Sequence, residues 1–184
     1  AVMLMVSLLF TGCDTNKENK TENVRLVEVT HSVFYAPQYV AIELGFFEKN
    51  GIKIELINGG GADKCMTALL SDQADVAFMG PEASVYVYNQ GKEDYVVNFA
   101  QLTQRDGSFI IGREQVNDFS WSMLDNKEIL GGRRGGVPAM TLEYAIEKNN
   151  VQNCTINYDV AFDNLTSAFI GGTSDFVTAF EPTA

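Results

Sequence analysis

"THSVFYAPQYVAIELGFFEKNG", Thr30 to Gly51, follows the alternating run "VRLVEV" and sets the chain's only histidine, two adjacent aromatics and a proline ahead of a helical pattern. Proline lacks the backbone N–H that a helix interior needs but suits a first turn. A helix is therefore expected from Pro37, with Val40, Leu44 and Phe47 on one face and a stop near Gly51. A strand, an aromatic loop and a helix in this order open a β-α-β unit.

Outward from this unit the alternation continues. "IKIELI" (52–57) reads as a second strand, and "GGGA" (59–62) leads into a helix carrying Cys65, Ala68 and Leu69. "ADVAFM" (74–79) is a third strand, "PEASVYVYNQG" (81–91) a helix, and "YVVNFAQLT" (95–103) a fourth strand. A second series follows "QRDG": strands at 108–114, 127–132, 154–159 and 175–180, a short helix near Trp121, and helices from Pro138 to Asn149 and from Leu165 to Ile170. This order predicts an α/β fold of mostly parallel sheets flanked by helices, in two lobes: 24–104 and 105–180. "ALLSDQADVAF" (68–78) and "AFIGGTSDFVT" (168–178) echo one another, each with an apolar helix end, a polar turn and an Asp opening a strand.

Composition narrows the partners. The 184 residues are 46% hydrophobic and carry a formal net charge of −11, and their few basic residues form no stripe for a row of phosphates, so nucleic acid is not expected. "AVMLMVSLLFTGC" (1–13) is shorter than the about 20 residues of a spanning helix and has the length of a secretory signal core. The polar "DTNKENKTEN" (14–23) reads as a tether. Cys65 and Cys154 lie inside apolar patterns with no CxxC or His spacing around them, and read as buried free thiols; no metal site and no cofactor is expected.

In open parallel sheets ligands sit beyond the carboxyl ends of the strands. Here those ends carry Ser32, Phe34 and Tyr35, then Gly60, then Glu82, and, after "KEILGG", Arg133, Arg134 and Gly136 ahead of a helix start at Pro138. Glycine lets backbone approach a ligand, and helix N-termini attract electronegative atoms. A cleft between lobes that takes a small molecule follows.

"VTHSVFYAPQYVAIELGFFEKNGIKIEL", "GGGADKCMTALLSDQADVAFMGPEASVY", "GGRRGGVPAMTLEYAIEKNNV" and "AFIGGTSDFVTAFEPTA" resemble the SsuA/THI5-like (NMT1/THI5) solute-binding proteins of ABC importers over 24–184. The resemblance implies a two-lobed type II periplasmic-binding fold with permease and ATPase partners, an outward crossing at Gln104–Gly107, and a return to the first lobe starting over 181–184. It also implies that the first lobe is incomplete in this chain. "LLFTGC" further resembles a lipoprotein signal, which would make Cys13 a lipid attachment point and place the protein outside the cytoplasm on the membrane surface.

Family members take sulfonates, nitrate, aromatic precursors or thiamine pyrimidines. A stacking wall and a carboxylate or amide suit a nitrogen heterocycle, which Phe34, Tyr35, Glu82, Gln101, Phe162 and Glu181 favour. Arg133 and Arg134 favour a sulfonate- or nitrate-type oxyanion instead. An enzyme reading, in the manner of thiamine-pyrimidine synthases, would give His31 a chemical role, but the cysteine-rich iron motif of those relatives is missing; no catalytic residue is assigned. A protein-interaction surface without a small ligand would predict a filled cleft.

Overall fold

The computed structural model describes residues 21–184 apart from Lys92 and Thr183. Cys13, the segment 1–13 and most of the tether lie outside the described residues; the tether's last two residues, Glu22 and Asn23, belong to the first strand.

Two separate sheets form. The first holds β1 (Glu22–Glu28), β2 (Ile52–Asn58) and β3 (Val76–Phe78) in the order β2-β1-β3, every pairing parallel. Parallel neighbours need a crossover, and α1 (Ala36–Glu43) and α2 (Ala62–Leu70) supply it. The register pairs Glu28 with both Asn58 and Phe78, so all three strands end level and their following loops open on one edge. Beyond β3 runs α3 (Glu82–Asn89).

The second sheet holds β4 (Phe109–Gly112), β5 (Glu128–Leu130), β6 (Thr155–Asn157) and β7 (Phe176–Ala179) in the order β4-β7-β5-β6. Only β4 runs antiparallel, against β7. Helices α4 (Val137–Lys148) and α5 (Leu165–Ile170) cross between its parallel strands. Leu124, Ile129 and Leu142 form one fully packed cluster of this lobe, and Leu130, Leu165 and Val177 another. Val27, Cys65 and Ala74 centre the first lobe. Among the described residues no helix is long and apolar enough to cross a membrane.

Two expectations need correction. Residues 95–103 are not a strand. The alternation is present, with Val96 packed against Met66, Ala83 and Val87 and Asn98 donating to Ser84 Oγ at 2.8 Å. Val97 and Phe99, however, are among the most exposed side chains described. The segment is held on α3, and no strand of the described chain pairs with it to make a ladder. Of the expected stripe, Val40 and Leu44 are exposed, and Phe47 is half-buried beyond the end of α1. The helix stops at Glu43 because Gly45 adopts φ 66, its N–H bonding Ile42 and the next N–H, of Phe46, bonding Ala41, which is the paired Schellman closure.

The echo between 68–78 and 168–178 is a shared device. α2 and α5 end at left-handed Asp72 and Gly172, and Gln73 and Thr173 then bond back to Ala68 and Ala168. Asp75 accepts the Arg25 backbone N–H at 2.8 Å, as Asp175 accepts that of Glu128 at 3.1 Å, so each acid pins its strand to the neighbour. The Arg25 guanidinium also bonds Asp75, and holds its carboxyl at about 2, below the usual 3.8. Because the folded pKa is the lower one, the stability Asp75 contributes is complete above the unfolded value and is lost as pH falls through about 2. The gap in urea midpoint between the wild type and Asp75→Asn is expected to be constant near neutrality and to close between pH 4 and pH 2; a gap independent of pH would contradict this origin.

Candidate functional site

The level ends of β1 and β3, the end of β7 and the glycine-rich stretch after β5 open on a cleft between the lobes that continues along the first sheet past Val24, Leu26, Ile52 and Ile54, about 1870 Å³ in all. Ser32, Phe34, Tyr35, Glu82, Gln101, Arg133, Gly136, Phe162 and Glu181 line it. Gly60 does not; its neighbour Gly61 takes that place.

Aromatic rings build its wall. Phe34 meets Phe180 edge-on at 5.3 Å, and Phe162 lies 5.8 Å from Phe180, so rings from both lobes adjoin. Gly107 packs under Phe34, where a Cβ would overlap the ring. Tyr35 stands edge-on to Phe78 at 4.3 Å, and burial, reinforced by the charge of Glu28, pushes its hydroxyl up to about 12. Tyr35 therefore stays neutral.

The loop that carries these rings is fixed by a residue the sequence reading missed. Glu28, the last residue of β1, is completely buried, and its carboxylate binds the His31 ring Nδ1 at 2.7 Å, Gln38 Nε2 at 2.9 Å and the Tyr39 hydroxyl at 2.9 Å. His31 stacks on Tyr39 at 4.4 Å. Tyr39 in turn accepts the Ser32 N–H, and Ser32 Oγ accepts the Phe34 N–H. Ser32 and His31 thus order the loop. The available signal was an acid ending a strand whose two preceding residues, Leu26 and Val27, are apolar, three residues before a histidine.

Glu82 enters the cleft at the start of α3. It packs against Gly80, where a Cβ would overlap its carboxylate. Burial raises its pKa, an effect opposed by the backbone N–H groups of Glu82 itself and of Val137 at the start of α4. Its Oε2 is buried without a hydrogen-bond partner. Gln101 donates to its own neighbour, the Thr103 carbonyl, at 2.9 Å, and is exposed at the cleft edge with Glu181.

Of the two arginines, Arg133 reaches the cleft and pairs with Asp63 on α2. Arg134 turns away and lies over the Tyr158 ring at 4.1 Å. A further bridge between lobes joins the Thr30 hydroxyl to Asp163 at 2.8 Å. At the strand-end side of the lining Glu82, Asp106, Asp163 and Glu181 stand against Arg105 and Arg133, so the surface is acidic; Asp75, also on the lining, is paired with Arg25. Among the described residues no group of three or more His, Cys, Asp or Glu could hold a metal ion.

The NMT1/THI5 like family matches residues 33–183. YtlA of Bacillus subtilis (strain 168), which carries a provisional binding-protein name, is 42% identical over 182 residues, covering 97% of this chain and 54% of YtlA. The ligand-binding component of an ABC-type import system from Staphylococcus aureus, solved with zinc bound, superposes with a TM-score of 0.66 at 16% identity, over 88% of this chain and 55% of that one. The Escherichia coli periplasmic aliphatic sulphonate binding protein SsuA gives 0.57 at 13% identity, over 88% and 55%. The chain therefore spans about half the length of these relatives. The two-lobed architecture is theirs, and with the match over 33–183 the chain belongs to the NMT1/THI5-like family.

Proposed function

We propose that the chain captures a small molecule in the cleft between its lobes, as the extracytoplasmic solute-binding component of an ABC importer, and hands it to a permease and its ATPase. Acylation of Cys13 would tether it to the membrane. The ligand is a neutral or cationic aromatic nitrogen compound, of the aminopyrimidine kind. One observation carries the ligand class: Glu82 lines an aromatic-walled cleft with its Oε2 buried against Gly80 and without a hydrogen-bond partner. A buried acceptor without a donor is costly, and an amino or ring N–H is the group that relieves it. The acidic lining supports the same sign of ligand. His31, engaged by Glu28, supports a structural role for the histidine, and the protein is read as a binder, not an enzyme.

The test is thermal denaturation of the intact protein with 4-aminopyrimidine and with methanesulfonate. Saturation at about 100 times Kd adds roughly 2.7 kcal/mol. A rise in Tm with the heterocycle, lost in Glu82→Ala, is expected. A rise with methanesulfonate alone would replace this ligand class by the oxyanion one.

A further inference from the structure

We propose that Asp63 is a specificity residue, whose carboxylate occupies the guanidinium of Arg133 and so denies that cation to anionic solutes. The inference rests on the reading of the inter-lobe cleft as the binding site. Arg133 is the cation that leads into α4: it follows Gly132, and its carbonyl accepts the Gly136 N–H that closes the turn before the helix. A guanidinium beside a helix start combines a fork of N–H donors with unpaired backbone N–H groups, a combination suited to a sulfonate, phosphonate or nitrate. In this chain both halves face carboxylates from the opposite lobe. Asp63 pairs with Arg133, and Glu82 faces the Val137 N–H.

The fit of the first pair is built into the backbone. Gly61, at φ 154, precedes α2, and a Cβ there would lie 2.6 Å from Asp63 Oδ1 and 2.9 Å from Arg133 Cδ. A larger residue would push the acid and the arginine apart. Arg105, the other guanidinium on the lining, is exposed on the crossover segment, where water screens it. An arriving oxyanion therefore meets an Arg133 whose fork is already engaged by Asp63, beside an acidic wall, and a ligand that brings N–H donors does not compete for that cation.

Calorimetric titration of the intact protein with methanesulfonate and, separately, with 4-aminopyrimidine tests this. Asp63→Asn keeps the side chain's shape and removes its charge, and is expected to tighten methanesulfonate binding about tenfold, the scale of one charge-assisted hydrogen bond regained. The double variant Asp63→Asn with Arg133→Gln should lose that gain. Loss of an ordinary structural contact between lobes would weaken binding, so the direction separates the two roles. Asp63→Asn without a gain overturns the role of Asp63, whatever 4-aminopyrimidine does. A gain that survives Arg133→Gln also overturns it. A wild type indifferent to 4-aminopyrimidine, with the gain present and dependent on Arg133, upholds the role of Asp63 while overturning the ligand class proposed above.

Discussion

Glu28→Ala is expected to lower the unfolding free energy by about 3 kcal/mol and to loosen the aromatic wall of the cleft in the same step. The carboxylate is fully buried and is the shared acceptor for Gln38, Tyr39 and the His31 ring. Removing it leaves three polar groups to find water or each other at the end of a packed strand. Each unsatisfied group costs about 1 to 3 kcal/mol, reduced here because His31 is mostly exposed and can be solvated in place. The functional consequence follows through the chain Glu28, Tyr39, Ser32, Phe34, in which each link is one hydrogen bond. Urea unfolding should show a lower midpoint, with ligand affinity falling alongside it. Glu28→Gln, which keeps one acceptor oxygen, should fall between the two. A destabilisation below about 1 kcal/mol for the alanine variant would show that water replaces the network at little cost.

Leu130→Ala is expected to cost about 3 kcal/mol through a cavity in the second lobe. Leu130 is entirely buried among Leu165 and Val177, with Phe162 and Phe169 packed on the same cluster. Its carbonyl also accepts the Thr178 hydroxyl at 3.2 Å, so the backbone around the void is held in place and cannot collapse far to fill it. Because Phe162 rests on this cluster and lines the cleft, ligand affinity should fall as well as stability. Leu130→Val, which removes less volume, should lose a third or less of that amount, by the usual scale of a single methylene. Equal losses for the two variants would mean that backbone strain, not cavity volume, dominates the site.

Much of the fold was legible because its periods are local. The strand and helix order, the helix start at Pro37 and the Ala to Asp echo were readable because each depends on residues within a few positions of one another. The echo proved to be more than similarity of composition: Asp75 and Asp175 perform the same backbone-pinning bond in their two sheets. Residues 95–103 show the limit. A period of two states which side chains share a face, and Val96 and Asn98 do share one, but a strand also needs a neighbour to take its hydrogen bonds. The exposure of Val40 and Leu44 has the same lesson, since a helical stripe is buried only where another element covers it.

The site divides along the same line. That Phe34, Tyr35, Phe162 and Glu82 line one cavity could be expected from sequence, because residues after the strands of a parallel sheet share one edge. Their partners could not be, because ion pairs and buried networks join residues far apart in the chain: Asp63 with Arg133, and Thr30 with Asp163. The sequence by itself determined a two-lobed α/β order with aromatic rings beyond its strand ends, since periodicity and turn chemistry are properties of short segments. Only the tertiary structure decided that Glu28 organises the loop, that Arg133 pairs with Asp63 across the lobes and that Glu82 Oε2 is buried without a partner. Charge and hydrogen-bond satisfaction depend on which distant groups come within about 3 Å, and that is set by packing.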